Sequence, residues 1–92
     1  MTFERVAPQV VRSAEGWTVQ IGGRYHVEYL ENDRVATVKA DLDGPTVRLY
    51  GKSAQWTKPS AQLLTADERD LVIARVRAGL LAMGDPSEVV DE

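Results

Sequence analysis

The sequence predicts an α+β domain: an antiparallel meander sheet of four or five strands, with one long C-terminal helix packed on one face. Three observations lead there. Between residues 9 and 50, apolar and polar residues alternate in short runs separated by turn residues, the mark of half-buried strands joined by tight connections. Thr65-Ala66-Asp67-Glu68 has the form of a capping box, and Gly84 followed by Pro86 is a stop signal, so one helix is bracketed. The residues between carry apolar side chains at helical spacing, which supplies the cover that a one-faced sheet needs.

The elements follow in order. Pro8 interrupts Val6, Val10 and Val11, and proline breaks a strand or confines it to an edge. Residues 9–13 are therefore expected as a strand and the residues before Pro8 as a lead-in. Glu15-Gly16 is a turn. Trp17, Val19 and Ile21 share one face of the next strand. Gly22-Gly23 then reads as a two-residue hairpin, because glycine accepts the positive φ of a type I′ turn. Residues 24–30 alternate with Tyr25, Val27 and Tyr29 on one face, and Glu31-Asn32-Asp33 makes the next turn. Residues 35–42 follow, with Ala36, Val38, Ala40 and Leu42 together, then Asp43-Gly44-Pro45 as punctuation and a last strand over 46–50 carrying Val47 and Leu49. Residues 52–64 hold Trp56 and Pro59 among polar residues and are expected to form an ordered connector across an edge of the domain.

The helix is expected over residues 66–83, with Asp67 and Glu68 well placed at the positive end of its dipole. Val72, Ile73, Val76, Leu80 and Met83 cluster on the face that should meet the sheet. Leu71, Ala74, Ala78, Leu81 and Ala82 form a second stripe roughly opposite. This stripe is either ordinary helix surface rich in alanine or a contact face. As a contact face it suits a homodimer: small residues let a two-fold copy approach closely, and Arg75 of one helix would meet Glu68 of the other at the rim.

Composition narrows the function classes. A chain of 92 residues with 43% apolar residues is one globular domain. It has no cysteine, which removes disulfides and cysteine-held zinc. The opening M-T-F-E-R-V lacks the basic and apolar regions of a signal peptide, and no apolar run is long enough to span a bilayer; the expectation is a cytoplasmic protein with no membrane partner. The net charge of -3 is unevenly placed. Residues 85–92 hold Asp85, Glu88, Asp91 and Glu92 and no base, so the body, residues 1–84, has 11 bases against 10 acids. A nearly neutral body is a poor nucleic-acid binder. The acidic tail is expected to be solvated, or, through Val89-Val90, to add a short edge strand or dock on a basic partner.

No reaction is named by a motif. His26 is the lone histidine, and no serine lies in a nucleophile elbow. Asp41 and Asp43 stand two apart, but turn chemistry accounts for Asp43-Gly44, and the further ligands of a calcium loop are missing. No phosphate-binding or dinucleotide fingerprint occurs. Neither a cofactor nor a metal is expected. Trp56 is the least settled residue: it is either a plug fastening the connector to the sheet or, with Lys58, an exposed anchor of the kind enriched at binding hot spots.

From Trp56 onward the order W-T-K-P, L-T-A-D-E-R and G-L-L-A-M-G resembles small immunity proteins of bacterial polymorphic-toxin systems. The resemblance rests on Trp56, Pro59, Thr65, Glu68, Arg69, Ile73, Leu80 and Gly84, about a third of the chain, and the strand region adds no motif to it. It implies a compact sheet-plus-helix protein that neutralises a cognate toxin by binding it, without catalysis. The expectation is thus a non-enzymatic protein-binding domain with Trp56, Lys58, Leu71, Arg75, Ala78 and Leu81 as candidate contact residues. The alternative is a small structural or regulatory domain that takes a ligand or peptide at its sheet edge.

Overall fold

A computed structural model describes residues 2–23 and 25–90. Met1, Arg24, Asp91 and Glu92 lie outside the described residues, and with them the start of the strand expected from residue 24 and the last two acids of the tail.

The fold class is the one the sequence predicts, but the described residues form nine strands rather than four or five. In chain order these are β1 (Phe3–Ala7), β2 (Val10–Ser13), β3 (Thr18–Ile21), β4 (His26–Glu31), β5 (Arg34–Asp41) and β6 (Val47–Tyr50). A 3₁₀ turn (Gly51–Ser53), β7 (Gln55–Lys58), β8 (Gln62–Leu63), helix α1 (Ala66–Ala82) and β9 (Ser87–Val90) complete the chain.

β1 to β6 form the expected antiparallel meander. The residues before Pro8 are a strand and not a lead-in, because Pro8 sits in the β1–β2 turn, where its missing N–H costs nothing. β1 is an edge strand: it carries Glu4 and Arg5, and its register slips between Arg5 and Ala7. The Arg5 guanidinium donates to the Pro8 and Met83 carbonyls, tying that edge to the end of α1. The glycine pair makes a wider turn than expected, β3 ending at Ile21 and β4 starting at His26, with the Gly22 N–H donating to the His26 carbonyl. The β4–β5 turn is the tight one: Glu31 pairs Arg34, and Asn32 takes the left-handed conformation at φ 56°.

The sheet forks at β5. Val35, Ala36 and Thr37 pair with β7, while Ala40 and Asp41 pair with β6 along the same edge. The connector therefore carries two strands, β7 and β8, rather than running as an irregular crossing. β6 then receives β9 in parallel, Val47 opposite Ser87 through Tyr50 opposite Val90. A parallel pair needs a crossover, and α1 supplies it. Of the readings open for the tail, the edge strand is the one formed.

α1 begins and ends as its sequence dictates. The Thr65 hydroxyl accepts from the Glu68 N–H at 3.2 Å, and the Glu68 carboxylate accepts from the Thr65 N–H at 2.9 Å. Met83 is the C-cap rather than the last helical residue. Gly84, at φ 94°, donates to the Leu81 carbonyl and Asp85 to the Leu80 carbonyl, the paired bonds of a glycine-terminated helix. Val72, Val76 and Leu80 are fully buried, and Ile73 and Met83 are half-buried at the border of the core. They lie on Trp17, Val19, Val27, Tyr29 and the other inward residues of the sheet. Gly79 is the point of closest approach: a Cβ there would stand 2.7 Å from the Val19 side chain.

Candidate functional site

A groove of about 510 Å³ lies between α1 and the β9 side of the sheet. Ile73 and Ala74 of α1, Gly51 after β6 and Val89 of β9 give it an apolar floor. Lys52, Arg69 and Arg77 bring three cations to its walls against one carboxylate, Asp70. A Cβ at Gly51 would stand 3.2 Å from Val89 Cγ1, so the two segments approach closely here. Arg77 reaches across to β9, its guanidinium donating to the Ser87 carbonyl at 3.0 Å. Lys52 and Arg69 make no ion pair among the described residues. A second, shallower recess continues along α1 past Arg77, Ala78 and Leu81 to Pro86 and Ser87.

The residues singled out by the sequence divide into two groups. Leu81, 67% exposed, lines the continuation of the groove with the half-buried Ala78, whereas Leu71, 47% exposed, lines neither recess. Trp56 and Arg75 lie elsewhere and are engaged within the chain. Trp56 is 5% exposed and takes the plug role, pinning β7 to the core; Lys58, at the end of β7, is exposed. The Arg34 guanidinium stacks 3.6 Å from the Trp56 ring and pairs with Glu68 at 3.0 Å. The indole N–H makes no well-formed hydrogen bond, yet it lies close enough to Glu68 to favour its charged form. With the Thr65 N–H first and Arg34 second, it holds the Glu68 carboxyl down at about 2.

Arg75 does not reach outward to a partner's Glu68, as the dimer expectation has it. Its Nη1 donates to the Tyr29 hydroxyl at 2.7 Å and to Glu31 at 3.2 Å, and its guanidinium lies 5.2 Å from the Trp17 ring. The Tyr29 hydroxyl in turn donates to Glu31 at 2.8 Å. Burial, aided by Glu31 and opposed by Arg75, pushes Tyr29 up to about 12. A folded-state value above the unfolded one means that this contribution is complete below about pH 10 and is lost as pH rises through about 12. A shift of this size is worth on the order of 2 kcal/mol, less what solvent around the partly exposed Glu31 screens. Urea midpoints measured from about pH 9 to 12 should fall more for the wild type than for Tyr29→Phe. Equal slopes would remove Tyr29 from the account of alkaline stability.

Asp41 and Asp43 sit together at the end of β5, the Asp43 N–H donating to the Asp41 carboxylate at 3.0 Å, and His26 opens β4 opposite Lys39. Among the described residues no cluster of three or more histidine, aspartate or glutamate side chains stands ready for a metal. No helix among them is long and apolar enough to cross a membrane. The sequence reading missed Lys52, Arg69 and Arg77 as a set, because they come from two separate segments that meet only when β9 closes on β6. The chain matches no family model, no curated protein and no solved structure.

Proposed function

We propose that this chain is a non-enzymatic protein-binding domain that works through the α1–β9 face. The observation that carries the reading is the groove itself. It has an apolar floor, two cations, Lys52 and Arg69, with no ion pair among the described residues, and the exposed Leu81 along its continuation. Such a patch has the composition of an interface, with apolar area at the centre and arginine at its margin. It also joins the two readings of the sequence, because the outer stripe of the helix and an open sheet edge lie side by side. The resemblance to immunity proteins supports a partner that is itself a protein, a toxin neutralised by occlusion. A homodimer through Leu71, Ala78 and Leu81 is the second reading, favoured by the exposure of both leucines.

The test is co-expression with the protein encoded beside this chain. The expected result is a one-to-one complex on size exclusion and relief of that protein's toxicity, both lost in Leu71→Glu/Leu81→Glu. A neighbour that is neither bound nor neutralised overturns the immunity reading. A complex indifferent to that double substitution, and to charge reversal at Lys52 and Arg69, removes this face. A wild type that sediments as a monomer at high micromolar concentration removes the homodimer.

A further inference from the structure

Among the described residues β9 is the end of the sheet: it pairs with β6 on one side, and no described strand pairs its other side. Which main-chain groups face that open side follows from one hydrogen bond. The Pro86 carbonyl accepts from the Val47 N–H at 2.9 Å, so it points toward β6. Main-chain groups alternate along a strand, which turns those of Ser87 outward, those of Glu88 toward β6 and those of Val89 outward. Arg77 agrees with this phase, since it reaches the Ser87 carbonyl from α1. The open edge is therefore stopped at Ser87 by a guanidinium and is available at Val89. The Val89 side chain forms part of the groove floor.

The groove offers a matching side-chain pattern. Arg69 and Ile73 are one helical turn apart, about 6 Å along the axis. Alternate residues of an extended chain are about 6.7 Å apart. A strand laid beside β9 can thus set one side chain over the apolar Ile73 and Ala74 and the next side chain on the same face against Arg69 and Lys52. The three cations outweigh Asp70, so that second side chain is favoured as a carboxylate.

We propose that the α1–β9 groove takes an extended acidic segment of a partner protein, which adds to β9 at Val89 as a further strand and sets a carboxylate on Lys52 and Arg69. This rests on the reading of the face as a protein-binding site and gives it a mode and a chemistry. Main-chain bonds supply sequence-independent affinity, and the groove supplies selection for an acid two residues from a small apolar side chain.

The probe is the peptide acetyl-Val-Glu-Val-Ala-Val-amide, titrated into the labelled full chain and followed by NMR. Shifts should concentrate at Val89, Ile73, Ala74 and Arg69, and the Val89 amide should become protected from exchange. The same peptide with lysine for glutamate should bind at least about tenfold more weakly. Lys52→Glu/Arg69→Glu should lose the preference for the acidic peptide or reverse it. Lys52 is exposed and Arg69 half-buried, and an unchanged circular dichroism melt certifies the variant. Absence of shifts at millimolar peptide overturns the proposal, as does equal binding of the two peptides. Inorganic phosphate reproducing the full set of shifts also overturns it, since the groove would then be an anion site. If the peptides fail but Lys52→Glu/Arg69→Glu still abolishes the complex with the protein partner, strand addition falls and the protein-binding reading stands. If both fail, both fall.

Discussion

Val76→Asp is expected to abolish the fold. Val76 is fully buried under α1, in one cluster with Val19, Val27, Tyr29 and Leu80. Losing the valine removes about 1.5–3 kcal/mol of apolar burial. An unpaired carboxylate at this point costs several kcal/mol more, or protonates to avoid part of that cost. A domain of this size has a total stability of about 5–15 kcal/mol, so the two losses together consume most of it. The expected result is aggregated protein, or a soluble chain with no cooperative thermal transition. Leu81→Asp, on the exposed side of the same helix, should melt within a few degrees of wild type. A folded, soluble Val76→Asp protein would mean that α1 presents a different face to the sheet.

Gly79→Ala is expected to destabilise the protein, against the ordinary preference of helices. In an open helix interior the change gains about 1 kcal/mol. Here the new Cβ stands 2.7 Å from both Cβ and Cγ2 of Val19. The Val19 Cβ is bonded directly to the backbone of β3 and cannot swing aside, so α1 itself has to lift. Overpacking of that kind costs about 1–3 kcal/mol, occasionally more, and the steric loss exceeds the propensity gain. The net loss should be up to about 2 kcal/mol, a melting temperature lower by up to roughly 15 °C. Val19→Ala in the same chain should recover part of it, because the two sites share one contact. A variant more stable than wild type would show that helix and sheet have slack at their closest approach.

The parts of the fold that were legible are those whose signal is local. Thr65, Glu68 and Gly84 cap α1 as their sequence spacing requires, and the alternation of Val27 with Tyr29 or Ala36 with Val38 marks strands with one face in the core. What was missed depends on distant partners. β7 shows no alternation, since Gln55, Thr57 and Lys58 surround a single apolar residue; it is a strand because Trp56 reaches the core and β5 has a free edge for it. Pro8 breaks no strand because the turn falls on it. Arg75 looks like a rim residue on a helical wheel, and only folding brings Tyr29 and Glu31, far back in the chain, within hydrogen-bond reach. The groove combines the 3₁₀ turn, the middle of α1 from Arg69 to Arg77, and β9. No spacing rule connects them, and only the parallel closure of β9 on β6 assembles the site.

The irregular first strand bears on how large any assembly of this protein can grow. Open-ended polymerisation by strand addition requires every copy to offer both a receiving edge and a donating one. β1 is a poor second edge: it carries Glu4 and Arg5, its register slips before Ala7, and Arg5 is drawn aside to the Met83 carbonyl. Charges and bulges of this kind keep edges from stacking on one another. β8, the short edge beside β7, is only two residues long. If a strand adds at β9, it finds no equivalent platform on the described edges β1 and β8, so the expected product is a discrete complex rather than a filament.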